Sequence, residues 1–245
     1  MVNTELPIST VQFGDTDIPI AQKGTEITDG IVFNSVDGNG FPLTAEFYGD
    51  KIVKRAFYNY SRSDGLFKNL KTLTLKDNQC STGDASFQNC GELETINNIQ
   101  ALTNIAPYAF GDCRKLSGIL NFPNVTQIGQ NAFENCYAVT KIILPLCQVA
   151  YSSTFNNCTS LQYVQLGSVG YGINNFNNSF YNCTQQGLTI EYWIGSNAVQ
   201  YFDSIVQRIR AQATNSTIIM KAADNLTYGG IAYNAGETIL TSEVA

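Results

Sequence analysis

The chain has 245 residues and a net charge of −6, with 44% hydrophobic and only 14% charged residues. This composition allows one solenoid or two small domains with a sizeable core. It makes nucleic acid a poor partner, because phosphates need Lys and Arg. With so few charges, the polar surface must consist mainly of Asn, Gln, Ser and Thr, which suits contact with proteins or sugars.

The amino terminus carries no pattern of a leader or a membrane span. Met1 is followed by Val-Asn-Thr-Glu-Leu-Pro, without the basic start and apolar run of a secretory signal. No segment approaches the ~20 apolar residues that cross a bilayer. We therefore expect no membrane insertion and no secretory leader.

The first fifty residues are predicted to form a β cap. The segments Gly30–Val36 and 41–48 flank Asp37-Gly38-Asn39-Gly40, a strong hairpin signal. The acidic segments 15–17 and 37–39 lack a full set of oxygen ligands, so a turn is a better interpretation than a calcium site. We expect residues 1–50 to shield the open edge of the first repeat.

A five-residue word recurs between residues 56 and 183. It reads Ala-Phe-Tyr-Asn-Tyr at 56–60 and Ala-Phe-Glu-Asn-Cys at 132–136, with four further copies at 86–90, 109–113, 154–158 and 179–183. Its Phe residues stand at positions 57, 87, 110, 133, 155 and 180. Six copies indicate a repeat of about 23 residues, with a seven-residue insertion after the first.

A period in the low twenties lies in the leucine-rich-repeat range. Units this short cannot bury their apolar side alone, so they stack. Apolar residues three and six places after each Cys predict one short strand per unit, and the stacked strands predict a parallel sheet from 70–75 to 188–192. The six Phe side chains should form one buried column, and the Asn before each Cys should hydrogen-bond loop backbone outside the sheet.

The pattern Ile-x-x-x-Ala-Phe-x-Asn-Cys-x-x-Leu-x-x-Ile-x-Leu-Pro, clearest at residues 128–145, resembles the BspA-like, or Treponema-type, leucine-rich repeats. The resemblance covers about residues 51–190. It implies a curved solenoid whose concave sheet binds other proteins or surfaces. The family includes secreted bacterial adhesins, surface proteins of mucosal protists and virion proteins of gut bacteriophages. The absence of a leader favours a virion component for attachment or protein contact, and a secreted or cell-surface adhesin of a host-associated bacterium or protist is the alternative.

After Trp193 the repeat stops. Residues 196–213 are predicted to form a helix with Ser196 as its N-cap, followed by strands at 217–222 and 229–241. Core packing explains the helix's apolar stripe, which consists of Val199, Phe202, Val206 and Ile209. The predicted fold is therefore a β-rich α/β repeat solenoid of six repeats (51–190), between an N-terminal β cap (1–50) and a C-terminal helix-plus-strand cap (191–245).

Five of the seven cysteines occupy one repeat position, and Cys147 falls on another core position. Buried thiols behave as small hydrophobic groups, so we expect reduced core cysteines. A zinc site would need closely paired Cys or Cys with His, and the chain contains no His. We expect neither a metal nor a cofactor.

Strand side chains alternate, which places the residues five and seven places after each Cys on the concave face. These positions are Thr72, Thr74, Thr95, Asn97, Gly118, Leu120, Lys141, Ile143, Tyr163 and Gln165. Leu120, Ile143 and Tyr163 fall in adjacent repeats and predict an exposed apolar stripe of the kind that marks a contact. The expected partner is a protein or a cell-surface glycan; a second copy of the chain or virion neighbours could also cover the stripe.

Catalysis is not expected. Without His there is no Ser-His or Cys-His pair, and no phosphate-binding glycine loop occurs. The remaining enzymatic option is a glycan-cleaving virion enzyme with paired carboxylates. Glu92 and Glu94 are the only close acid pair within the repeats, and we expect them to be solvated.

Overall fold

The computed structural model describes most of the chain. The described residues are 9–13, 16–22, 30–59, 67–167, 177–183, 187–213 and 216–243, with side chains described from residue 30 to 241. They form the predicted solenoid, in which successive repeats each add a strand to a large sheet.

The cap strands are β1 (Ser9–Phe13), β2 (Thr16–Gln22), β3 (Gly30–Val36) and β4 (Pro42–Tyr48). The repeat strands are β5 (Lys51–Ile52), β6 (Thr72–Leu75), β7 (Cys80–Thr82), β8 (Thr95–Asn97), β9 (Leu102–Asn104), β10 (Gly118–Asn121), β11 (Gln127–Ile128), β12 (Val139–Leu144), β13 (Val149–Ala150), β14 (Tyr163–Leu166) and β15 (Leu188–Ile194). The C-terminal elements are a 3-10 turn (Val199–Tyr201), α1 (Phe202–Arg210), β16 (Ser216–Ala222), β17 (Leu226–Tyr228), β18 (Ile231–Tyr233) and β19 (Thr238–Glu243).

Two six-stranded sheets run along the solenoid. The first has the order β1-β2-β3-β4-β6-β8 and the second the order β10-β12-β14-β15-β16-β19. The predicted hairpin of β3 and β4 is confirmed, and β4 pairs in parallel with β6 of the first repeat. The cap thus covers the edge that the first repeat would otherwise leave open.

The predicted single sheet is divided between β8 and β10. No strand pairing joins these two strands, which are both described. Gly118 begins β10 at a φ of 80°, and the pairing of β10 with β12 shifts register immediately after it. Shorter strands continue across this division, since Ile105 and Ile128 form a parallel bridge between neighbouring repeats.

The six repeat Phe side chains form the predicted buried column. Neighbouring ring centroids lie between 4.9 and 6.2 Å apart, and their planes are within 22° of parallel. The rings are at most 1% exposed. This column fixes the relative position of successive repeats, because each ring packs on the ring of the next unit.

The Asn before each repeat Cys does not have the predicted role. Its backbone is left-handed, with φ between 59° and 63° at Asn89, Asp112, Asn135 and Asn157. Asn tolerates this conformation better than most residues. From the third repeat onward the side chains bond to one another instead of to loop backbone: Asn157 Nδ2 donates to Asn135 Oδ1, and Asn182 Nδ2 to Asn157 Oδ1, each at 2.8 Å. The Asn is therefore selected by backbone geometry and by a ladder between repeats.

The C-terminal helix is shorter than predicted. It begins at Phe202, and Ser196 does not cap it, because the amide and hydroxyl of Ser196 bind the carboxylate of Asp224. The apolar stripe packs into the core as expected. The predicted strand at 229–241 is split into β18 and β19 by a turn in which Glu237 accepts from the amide of Asn234. Within the described residues, no helix has the length and apolarity needed to cross a membrane.

Candidate functional site

The solvent-facing side of the two large sheets, here called the open face, corresponds to the side predicted to be concave. On β6, on β14 and on β12 from Lys141 onward, its residues alternate with buried ones. In the second sheet it comprises Ile119, Asn121, Lys141, Ile143, Tyr163, Gln165, Thr189, Glu191, Trp193, Thr217, Ile219 and Lys221. Parallel pairing aligns these residues in columns across the strands.

In the first sheet, four of the predicted residues lie together on the open face. Thr72 pairs with Thr95, and Thr74 pairs with Asn97. The amide of Asn97 donates to the Thr74 hydroxyl at 3.1 Å. These four residues form a neutral, hydroxyl-rich patch, and Glu46 of β4 pairs with Thr74 at its border.

The prediction that Leu120 is exposed was wrong. Leu120 is 4% exposed and pairs with the buried Ile142, whereas Ile119 is 64% exposed and pairs with Lys141. The cause is a difference in length: Leu120 stands seven residues after Cys113, whereas its partner Ile142 stands six residues after Cys136. One extra residue moves a side chain to the opposite face of a strand. The exposed apolar residue of this repeat is therefore Ile119.

The other predicted residues of the second sheet align with Ile119. Lys141 pairs with Tyr163, and Ile143 pairs with Gln165. The ammonium of Lys141 lies over the Tyr163 ring, 4.3 Å from its centroid. Desolvation, the charge of Glu191 and a hydrogen bond to Glu191 raise the pKa of Tyr163 to about 12, so its phenol stays neutral at physiological pH.

Three residues of this region were missed by the sequence reasoning. Glu191 is 8% exposed and accepts from the Trp193 indole at 2.6 Å, while Lys221 Nζ lies 3.4 Å from its other oxygen. Lys221 also lies over the Trp193 ring, 5.1 Å from its centroid. The alternation of Leu188, Ile190, Tyr192 and Ile194 is the signal that could have placed Glu191 and Trp193 on the open face.

The acid pair Glu92 and Glu94 lies apart from this cluster. Glu92 accepts from Lys115 at 2.6 Å, which raises the pKa of Lys115, and Glu94 lies 3.9 Å from Lys71. Each carboxylate has its own lysine, and both side chains are well exposed. This is the solvated arrangement expected from the sequence.

The cysteines lie in the core rather than at a site. All seven are free and buried, as predicted for the five repeat cysteines and Cys147, and Cys80 joins them in the core. Burial raises their thiol pKa values; that of Cys147 rises to about 12. Within the described part of the chain, no group of His, Cys, Asp or Glu could hold a metal ion.

Comparisons with known proteins agree with this repeat architecture. The family model described as BspA type Leucine rich repeat region matches in six copies, over residues 49–162 and 127–223. No curated protein matches the chain.

Solved leucine-rich-repeat structures resemble the chain at low sequence identity. The Treponema pallidum leucine rich repeat protein is 19% identical over 85% of this chain and 94% of its own, with a TM-score of 0.50. A Bacteroides ovatus leucine-rich repeat protein is 19% identical over 70% of this chain, with a TM-score of 0.48. A leucine rich cell surface protein from Faecalibacterium prausnitzii is 18% identical over 87% of this chain and 59% of its own, with a TM-score of 0.45. The chain spans 42% of the Bacteroides protein.

Proposed function

The chain belongs to the BspA type leucine rich repeat family, and from this premise we propose that it is a non-catalytic recognition protein whose open face binds a protein or a cell-surface glycan. The observation that carries the proposal is the column of Ile119, Lys141 and Tyr163 on adjacent strands. The column joins an exposed aliphatic residue, a cation and an aromatic ring, and aromatic residues are enriched at the centres of interfaces.

The proposal assigns the binding site to the second sheet. There Ile119 is 64% exposed, while Ile143 and Tyr163 are half-buried and therefore held in place by their neighbours. Anchors that are already ordered lose little conformational entropy when a partner binds. Thr72, Thr74, Thr95 and Asn97 of the first sheet extend the proposed surface with neutral hydrogen-bonding groups.

The absence of catalysis is part of this proposal. Glycan cleavage would use two carboxylates that flank one bond. Glu92 and Glu94 are instead paired with separate lysines, and Glu191 is held by Trp193 and Lys221. These contacts favour a binding role over hydrolysis.

The second part of the proposal concerns where the protein is located. We propose a virion component, with the cell surface or secretion as the alternative. Antibody labelling of purified phage particles and of intact bacterial cells decides between them. Labelling of cells with none on particles would overturn the virion location and leave the binding role intact.

The binding role is tested with immobilised protein and surface macromolecules extracted from bacterial and mucosal cells. Tyr163→Ala should weaken retention by at least about fivefold, equivalent to ~1 kcal/mol. Tyr181→Ala is the matched control, because Tyr181 is 56% exposed but lies in a repeat turn away from the open face. Equal retention by wild type and Tyr163→Ala, with both folded, would contradict the proposal.

A further inference from the structure

Glu191 is the centre of a group of side chains on the second sheet. Its carboxylate is almost fully buried, accepts from Trp193 and Tyr163, and lies 3.4 Å from Lys221. A buried carboxylate persists only when such partners neutralise it. Glu191 therefore fixes the positions of two aromatic rings and one ammonium on the open face.

Lys141 extends this group at the other end. Its ammonium lies over the Tyr163 ring, and among the described side chains no carboxylate forms an ion pair with it. By contrast, Lys71, Lys76 and Lys115 each pair with a glutamate. A cation held over an aromatic ring keeps its charge and can still bind an anion.

The residues Lys141, Tyr163, Glu191, Trp193 and Lys221, here called the diagonal strip, cross four neighbouring strands. With one carboxylate neutralising one of its two ammonium groups, the strip carries a net charge of about +1. The strip is thus locally positive on a protein whose net charge is −6. Strand spacing and rise put the α-carbons of Lys141 and Lys221 roughly 20 Å apart, a span suited to a chain of several units rather than to a single small molecule.

The neighbours of the strip supply neutral hydrogen-bonding groups. Gln165 pairs with Glu191, and Thr189 pairs with Tyr163, on strands whose backbone groups are already bonded to one another. A peptide that binds across this face could therefore not pair with the strand backbone and would contact side chains only. Hydroxyl groups suit such a surface, and the C–H faces of sugar rings pack on the electron-rich faces of Tyr and Trp.

Resting on the proposed function, we infer that the diagonal strip binds a linear oligosaccharide that carries carboxylate groups. One of its carboxylates binds Lys141, its C–H faces lie against the exposed parts of Tyr163 and Trp193, and its hydroxyls bond to Gln165 and Thr189. The Glu191 carboxylate keeps the rings in position and discriminates against ligands that approach it with a second negative charge.

Trp193 is the only tryptophan in the chain, so tryptophan fluorescence reports directly on the strip. The probes are oligogalacturonate and the neutral galactose oligomer of the same length, titrated into the full chain. Oligogalacturonate should change the emission and bind at least about tenfold more tightly than the neutral oligomer. Equal affinities, or binding of neither sugar, would overturn the inference.

Lys141→Met keeps the length of the side chain and removes the charge. It should weaken oligogalacturonate binding about tenfold and leave the neutral oligomer unaffected, whereas Lys115→Met, outside the strip, should change neither. Calorimetry provides a second readout that does not depend on Trp193. Unchanged affinity in Lys141→Met would also overturn the inference.

Two further outcomes separate this inference from the proposed function. If Tyr163→Ala abolishes retention of a surface protein while both sugars fail to bind, the ligand class is wrong and the recognition role stands. If poly-glutamate binds and oligogalacturonate does not, the strip binds acidic peptide and the inference is overturned.

Discussion

The thiol of Cys136 donates a hydrogen bond to the carbonyl oxygen of Phe110, 3.1 Å away in the preceding repeat. The same bond recurs in the other four repeats that carry the Cys, joining Cys90 to Phe57, Cys113 to Phe87, Cys158 to Phe133 and Cys183 to Phe155. Each cysteine thus fills the core and also links two repeats through a weak donor. This explains why a thiol, rather than an aliphatic group, completes the repeated word.

Removing this thiol should destabilise the solenoid. Cys136→Ala loses the bond and leaves a small cavity, and should lower the free energy of unfolding by about 1–3 kcal/mol. Cys136→Val refills the volume without the donor and should lose less, about 0.5–1.5 kcal/mol. Urea denaturation measures both. A Val variant as stable as wild type would mean that the thiol contributes by volume alone.

The buried thiols should also make the protein sensitive to alkaline pH. Desolvation raises the pKa of Cys147 from 9.0 to about 12. The neutral thiol is favoured in the folded state, so its contribution is complete below pH 9 and is lost as the pH rises towards 12. Stability should therefore fall across this window.

Cys147→Val isolates one thiol, because Val125 occupies the equivalent position one repeat earlier. The variant should resemble wild type at neutral pH. Between pH 9 and 12 the free energy of unfolding should fall less steeply in the variant than in wild type. The difference between the two slopes should be about 1.4 kcal/mol per pH unit. Parallel pH profiles in urea denaturation would show that Cys147 does not titrate with unfolding.

Sequence reasoning succeeded where repeat spacing is constant. The Phe and the Cys of the repeated motif, for example Phe133 and Cys136, keep the same separation in each copy. This regularity predicted the aromatic column and the buried thiols. It failed where one residue is inserted. Ile142 stands six residues after Cys136, but its pairing partner Leu120 stands seven residues after Cys113.

The same one-residue difference hid Glu191. Val164 stands six residues after Cys158, and its partner Ile190 seven after Cys183. Since side chains alternate, such a shift exchanges the buried and exposed positions. The cluster around Glu191 also depends on strand neighbours far apart in the chain, Lys141 and Lys221, which no local pattern brings together.

The asparagine ladder gives a prediction that separates backbone from side-chain effects. Asn157 has a φ of 60° and bonds to Asn135 and Asn182 through its side chain. Asn157→Gly loses the bonds but keeps an easy left-handed backbone, whereas Asn157→Ala adds strain of about 1–2 kcal/mol. Thermal or urea unfolding should therefore rank wild type above Gly and Gly above Ala. An Ala variant at least as stable as the Gly variant would show that left-handed strain is relieved by local rearrangement.

The extra residue between Cys113 and Leu120 leads to opposite predictions for two adjacent residues. Leu120 is 4% exposed, so Leu120→Ala should remove buried volume and cost about 2–5 kcal/mol in urea denaturation. Ile119 is 64% exposed, so Ile119→Ala should stay within about 0.5 kcal/mol of wild type. The regular repeat spacing predicts the reverse order, because it makes Ile119 a core residue and Leu120 a surface residue. A larger loss of stability in Ile119→Ala than in Leu120→Ala would therefore show that the regular register holds and that Leu120 lies on the open face. If Leu120→Ala is the destabilising change, Ile119 and Ile143 are the aliphatic residues that accompany Lys141 and Tyr163 on the open face. Ile119→Ala should then weaken partner binding without changing stability.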